Sequence, residues 1–105
     1  MSHELVVLAG ADEDMLRKYV ELDSFSEDLA DSYATDTQEA LNLISQNPFI
    51  GSAHSHPPFR KWLLLDWDMA IFYRPLGSRC FVHAVLSLRQ DPKVVLTILK
   101  ARGQP

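Results

Sequence analysis

The apolar positions of this 105-residue chain change their period as the chain proceeds. Leu5, Val6, Val7 and Leu8 form a short unbroken run ending at Gly10, which predicts a buried strand. Behind it, Asp12, Glu13 and Asp14 place negative charge where the amides of a first helical turn lack partners, and Met15, Leu16, Tyr19 and Val20 recur at helical spacing. A first helix ending near Asp23 is predicted. Ser24 and Glu27 have the spacing of a capping box, and Phe25, Leu29, Tyr33, Thr37, Ala40, Leu41 and Ile44 follow in three- and four-residue steps. The second helix therefore runs to about Gln46. Asn47 and Pro48 stop it, because the residue before a proline is pushed out of helical angles, and Gly51 permits the turn.

From Gly51 to Pro58 neither period is present, which predicts a loop. Phe59 to Leu65, Met69 to Arg74 and Cys80 to Ser87 are then rich in aromatic and aliphatic residues, broken at Asp66-Trp67-Asp68 and at Pro75-Leu76-Gly77-Ser78. These predict three sequential strands joined by hairpins. Asp91 followed by Pro92 is a helix start, with a cap acceptor and a proline at the first helical position, and Gly103 closes a helix from Pro92 to about Ala101. Its residues Val94, Val95, Leu96, Ile98 and Leu99 cover more than one face, which predicts contact with another chain or a second copy, such as a homodimer. The element order is α+β: an N-terminal strand, a helical hairpin, a three-stranded antiparallel meander and a short C-terminal helix, in one domain over residues 1–105.

Composition agrees with a folded domain, with 47% hydrophobic residues and one cysteine, Cys80, which can form no internal disulfide. The first apolar run is far too short for a signal-peptide core or a membrane span, so the expected location is the cytoplasm, away from membranes. Charge changes the picture more. Residues 1–47 hold eleven acidic side chains against Arg17 and Lys18, a net of -9, whereas Asp66, Asp68 and Asp91 in the remainder face eight lysines and arginines, a net of +5. A mildly basic surface on the second half could meet an acidic segment or a phosphate backbone; a solvated acidic helical face packed on a sheet is the plainer alternative.

Short motifs then carry a resemblance. Asn47-Pro48-Phe49-Ile50-Gly51 after a helical hairpin looks like the "NP..G" turn of the RelE/ParE toxin superfamily, and Met69-Ala70-Ile71-Phe72-Tyr73-Arg74 is similar to the "YAIYYR" strand of its plasmid-stabilisation subfamily. Val82 to Pro92, VHAVLSLRQDP, is similar to the subfamily's "VLAVLHQRRDP", and Arg60 matches the arginine that opens the first of the three strands. The resemblance implies a toxin of a type II toxin-antitoxin pair, used in plasmid stabilisation and growth inhibition in bacteria, neutralised by a cognate antitoxin that wraps across it. One branch of the superfamily poisons DNA gyrase and the other cleaves mRNA on the ribosome. Ser87 stands where the family has histidine, Gln90 where it has arginine, and Ala70 where the nucleases carry an arginine. These departures favour a binding target such as gyrase over nuclease chemistry, with a non-toxic relative kept as a binding or regulatory module as a further reading.

Cleaving RNA through its own 2′-hydroxyl needs a base, cationic donors for the pentavalent phosphate and an acid. Arg60, Arg74 and Arg89 are the candidate donors, since a guanidinium matches phosphate oxygens in a fork, and Tyr73 or His83 could move protons. The structural alternatives are that the arginines pair with Asp66, Asp68 and Asp91, that His83 and Tyr73 are core residues and that Asp91 is a helix cap. His54 and His56 sit two apart without a third ligand at useful spacing, so no metal is expected, and no motif calls for a cofactor. Trp62 and Trp67 could stack bases or grip a partner, with core packing favoured for Trp62; Cys80 reads as a buried apolar residue.

Overall fold

The computed structural model describes residues 3–54 and 58–102. Strand β1 (Glu4–Val7) leads into helix α1 (Ala9–Asp23) and helix α2 (Glu27–Gln46), followed by β2 (Ser52–Ala53), β3 (Arg60–Leu64), a 3-10 turn (Leu65–Trp67), β4 (Met69–Leu76), β5 (Arg79–Ser87) and α3 (Pro92–Ala101). The strands form one five-stranded sheet in the order β1-β5-β4-β3-β2; β1 runs parallel to β5 and every other pair is antiparallel. The α+β arrangement expected from the sequence is the one observed, with β1 adding a parallel edge to the meander.

Alternation along β4 and β5 divides the core into two layers. Met69, Ile71 and Tyr73, with Cys80, Val82 and Val85, meet Ala11 of α1 and Ala40, Leu41 and Ile44 of α2. Ala70, Phe72, Ala84 and Leu86 point the other way and meet Phe59 and, on α3, Val95 and Leu99. The sheet is thus sandwiched between the helical hairpin and the C-terminal helix. This accounts for much of the broad apolar surface of α3: Val95 and Leu99 are buried and Ile98 packs beside them within the same chain, leaving Val94 exposed.

Several boundaries differ from the sequence expectation for local reasons. Helix α1 begins at Ala9, because Leu8 makes both the last bond of the strand, from its N–H to Val82 O, and the first bond of the helix, accepting from Asp12 N. No linker remains between them. The cap of α2 is Ser26, whose hydroxyl accepts from Leu29 N, and not Ser24, which sits at the end of α1 with its hydroxyl donating to Glu21 O. Residues 52–53 pair with Lys61 and Arg60 as β2 inside the expected loop; two residues are too few to show a period. Strand β4 continues through Pro75 to Leu76 because the reversal needs only Gly77 and Ser78, with Leu76 opposite Arg79 and Gly77 at φ 61, a conformation that suits glycine. The proposed helix stop at Gly103 lies outside the described residues, while Asp91 caps α3 as expected, accepting from Lys93 N at 2.7 Å.

One interaction ties the two layers together. Asp14, on the inner face of α1, is buried and accepts from Val85 N at 3.0 Å, satisfying the edge of β5 beyond the point where β1 ends. Arg102, at the end of α3, reaches the same carboxylate with both terminal nitrogens, at 2.6 and 3.2 Å, and also donates to His83 O at 3.2 Å. Gly10 leaves room for that guanidinium, since a Cβ there would fall 2.7 Å from Arg102 Nε. Truncating one member of a buried ion pair strands the other, at a cost of about 3–5 kcal/mol. Asp14→Ala should therefore lower unfolding free energy by about 3 kcal/mol, with Asp14→Asn less damaging because an amide oxygen can still accept from Val85 N; urea denaturation of the three proteins checks this.

Candidate functional site

The Asn47–Gly51 turn is built by the residues that the sequence offered as chemistry. Asn47 ends α2 with φ -145, and its side-chain oxygen accepts from Phe49 N at 3.3 Å. Arg60 and Tyr73 sit opposite one another across β3 and β4. The Arg60 guanidinium donates to Phe49 O at 3.1 Å and to Gly51 O, with its Cζ 5.4 Å from the Phe49 ring centroid. Tyr73, fully buried, accepts from Gly51 N at 3.0 Å. Burial pushes the Tyr73 phenol above its ordinary pKa, opposed by Gly51 N–H and by Arg60. A Cβ on Gly51 would fall 2.5 Å from both Lys61 O and the Tyr73 hydroxyl, so glycine is required for close approach. The arrangement fixes a turn: the Arg60 terminal nitrogen and the Tyr73 hydroxyl are both committed to its backbone.

Arg74 follows Tyr73 on β4 and projects to the opposite face of the sheet. It lies among a second group, with its Nε buried and without a partner among the described residues. The strand register shifts there: Phe72 pairs with Ala84 but Tyr73 with Val82, which leaves His83 as the extra residue of a bulge on β5. His83 is fully buried, edge-on to the Phe59 ring at 4.9 Å, with Nδ1 3.1 Å from Arg102 O and Nε2 unpartnered among the described residues. A proton on Nδ1 donating to that carbonyl is the tautomer these contacts favour. Arg89 is elsewhere. Its Nε donates to Asp68 at 2.7 Å in an exposed pair just past the end of β5, where Ser87 faces Met69, whereas Arg74 faces Phe81. Five residue steps along β4, from Met69 to Arg74, separate the two ends, roughly 17 Å at about 3.4 Å per residue.

The structure therefore brings together Arg60 and Tyr73 on one face, places Arg74 with His83 on the other, and holds Arg89 at the far end of the sheet. Trp67 packs edge-on against Tyr33 at 5.6 Å and donates to Asp36 at 2.9 Å, while Trp62 packs against the core of the hairpin layer. Cys80 is buried, and burial pushes its thiol up to about 11, the state of an inert core residue. His54 packs edge-on to Phe72 at 5.4 Å; His56 lies outside the described residues. Among the described residues no three histidine, cysteine or carboxylate side chains converge as metal ligands would. The same described residues contain no helix long and apolar enough to cross a membrane.

Sequence reasoning missed Asp14 and Arg102, reading the first as one of three charges on a helical turn. The available signal was that Asp14 stands three residues after Ala11, in phase with the inner face of α1.

No protein-family model matches the sequence, and no curated protein matches it. A solved chain described as "Chromosomal ParDE TA system from P. aeruginosa" has the same fold, with a TM-score of 0.73 over 82% of this chain and 96% of that chain, at 18% identity. At that identity the likeness is one of fold.

Burial lowers the His83 pKa below that of an ordinary imidazole; the hydrogen bond to Arg102 O opposes this, and the Arg74 and Arg102 guanidiniums reinforce it. The unfolded chain therefore takes up a proton near pH 6.5 that the native state refuses. This contribution to stability is complete above about pH 6.5, declines as the pH falls from there, and levels off below the folded-state pKa. His83→Gln should flatten that part of the profile. Urea midpoints between about pH 7.5 and 5 for both proteins, with an NMR titration of the His83 ring, measure it.

Proposed function

We propose that this chain is the toxin of a type II toxin-antitoxin pair, held inactive by a cognate antitoxin and acting by binding a macromolecular target such as DNA gyrase. The observation that carries this reading is the fold shared with a chain of a ParDE toxin-antitoxin system over most of both chains. The ordered motifs of the sequence support it independently: the turn at residues 47–51, the strand at 69–74 and the strand and turn at 82–92 occur in the order, and on the elements, of the superfamily they resemble.

The dispersed geometry supports a binding mode of action. General acid-base cleavage of RNA needs its cationic and proton-moving groups within hydrogen-bonding reach of one phosphate. Tyr73 is buried and engaged by Gly51 N, one terminal nitrogen of Arg60 is held by two carbonyls of the turn, and Arg89 sits on Asp68 at the far end of the sheet from Arg74. On this reading Arg74 and Arg89 serve as target contacts, and Arg60 and Tyr73 as supports of the turn.

Tightly controlled induction of this chain in bacteria, with and without its neighbouring reading frame, tests the proposal, with mRNA integrity and plasmid supercoiling sampled together. The expected result is growth arrest with intact transcripts and disturbed supercoiling, relieved by the neighbouring frame. Cleaved transcripts that disappear in Arg89→Ala would instead select the mRNA endoribonuclease branch. Unimpeded growth would leave the fold with a non-toxic binding or regulatory role.

A further inference from the structure

On the α3 side of the sheet a cavity of about 400 Å³ lies between β2 and the start of α3. Ala70 and Phe72 of β4 and Val95 of α3, all buried, give it an apolar floor. One wall is His54, whose ring stands edge-on to Phe72 with 5.4 Å between centroids. The polar lining includes Lys61 from β3 and, at the end of β5 and just beyond it, Ser87 and Gln90. An apolar surface carrying a few polar groups, in a volume of about 300 Å³ or more, is the ordinary make-up of a small-molecule site. Ala70, Ser87 and Gln90, where arginine or histidine would match the motifs that the chain resembles, all border this one cavity.

The charge of the cavity is simple. Lys61 is the one lysine or arginine that lines it, and no aspartate or glutamate among the described residues does. Strand register sets Lys61 opposite Phe72, on the face that carries the floor. The lysine is half-buried and makes no ion pair among the described residues. A partly desolvated ammonium away from carboxylates is best completed by an anion from outside the chain. Neutral donors stand with it. Ser87 Oγ accepts from Arg89 N at 3.1 Å and keeps its own proton to donate, and the Gln90 backbone N–H is bonded to Ser87 O while its side-chain amide holds two further donors. One ammonium balances one negative charge, whereas a phosphate dianion or a nucleic-acid backbone asks for several cations.

We infer that this cavity binds a small organic acid, a monocarboxylate whose charged end meets Lys61 with Ser87 and Gln90 donating beside it, and whose hydrocarbon or aromatic body lies on Ala70, Phe72 and Val95. Alanine, serine and glutamine in place of arginine and histidine remove the cations that a phosphate chain needs, and they leave the apolar floor open to such a body. The floor spans β4 and α3, so a seated ligand joins the C-terminal helix to the sheet and stabilises the folded chain as its site fills. The inference is independent of the toxin reading, because it draws only on the lining of the cavity.

The test uses the full chain, isotopically labelled, and four probes: phenylpropionate, its uncharged amide, phenyl phosphate and a ribotrinucleotide. A ligand of about ten non-hydrogen atoms at ordinary efficiency binds at about 1–10 mM. Amide shift mapping should place phenylpropionate on Lys61, Phe72, Ser87, Gln90 and Val95, with its uncharged amide weaker by about tenfold or more. Lys61→Gln should weaken the carboxylate by a similar factor and leave the uncharged amide unchanged, with amide positions away from the cavity reporting that the variant keeps its fold. Lys93→Gln, exposed on α3 and outside the cavity, should change neither. No shift at the cavity by about 10 mM, shifts on another face, equal binding of carboxylate and amide, or an unaffected Lys61→Gln would overturn the inference. Tighter binding of phenyl phosphate or the trinucleotide at the same residues would overturn it as well and assign the cavity to phosphate. Growth arrest on induction bears on none of these outcomes.

Discussion

A carboxylate inside a protein must be compensated on all sides, and the compensation of Asp14 organises this molecule. Its oxygens satisfy the open edge of β5 at Val85 N and receive the guanidinium of Arg102 from the far end of the chain. That single residue therefore joins α1 to the sheet edge and α3 to α1, across both layers of the core. Gly10 belongs to the same constraint, since any side chain there would occupy the guanidinium's position. His83 closes the circuit: its ring faces Arg102 O while its own carbonyl accepts from Arg102. The bulge at His83 places that ring on the α3 side of the sheet, where Phe59 packs edge-on against it.

Fixing Asp14 inward also fixes what α1 shows to the outside. Successive residues of a helix turn by about 100°, so Leu16 lies roughly 200° from Asp14 and must face away from the sheet. The apolar stripe at Leu16 and Val20 is thus a consequence of burying a carboxylate on the opposite side, where most amphipathic helices place their leucines. The buried face of α1 holds only Ala11 and Asp14 as fully buried side chains, and Met15 lies at its margin. Helix α2 supplies the bulk of the hairpin's core instead, through Tyr33, Ala40, Leu41 and Ile44. The hairpin consequently docks on the sheet through the close approach of α1 to β5 at Ala11 and Asp14 and through the larger side chains of α2, while Leu16 and Val20 stay on the outside.

The same residues explain how far the sequence could be read. Periods are a signal about burial, and they located α2, α3 and the meander because those elements bury continuous apolar faces. On α1 the period predicted the helix but not which side of it is covered, since leucine and valine are hydrophobic whether or not anything packs on them. The capping residue of α2 was misplaced by two positions because both Ser24 and Ser26 precede the helix; chain geometry, with Ser24 still finishing α1, decides between them. Pairing across the chain, such as Asp14 with Arg102, leaves no local pattern and could not be found from spacing. For the candidate site the sequence identified Arg60, Tyr73, Arg74 and Arg89 as residues of interest, but alternation along β4 separates Tyr73 from Arg74, and strand length separates Arg74 from Arg89.

Arg60 shows how a motif residue can serve the fold. A turn that follows Asn47-Pro48 leaves the carbonyls of Phe49 and Gly51 without intrahelical or ladder partners, and such groups are costly when shielded from water. One guanidinium supplies both with donors, and the Tyr73 hydroxyl accepts from the Gly51 N–H. An arginine opening β3, a tyrosine opposite it on β4 and a glycine at the close of the turn are therefore three parts of one structural requirement: to bring the chain from the helical hairpin into the sheet. Resemblance in these positions tracks the fold. What distinguishes this chain from others of its fold must be sought where no such requirement acts, in the charge of the hairpin and in the exposed arginines of the sheet.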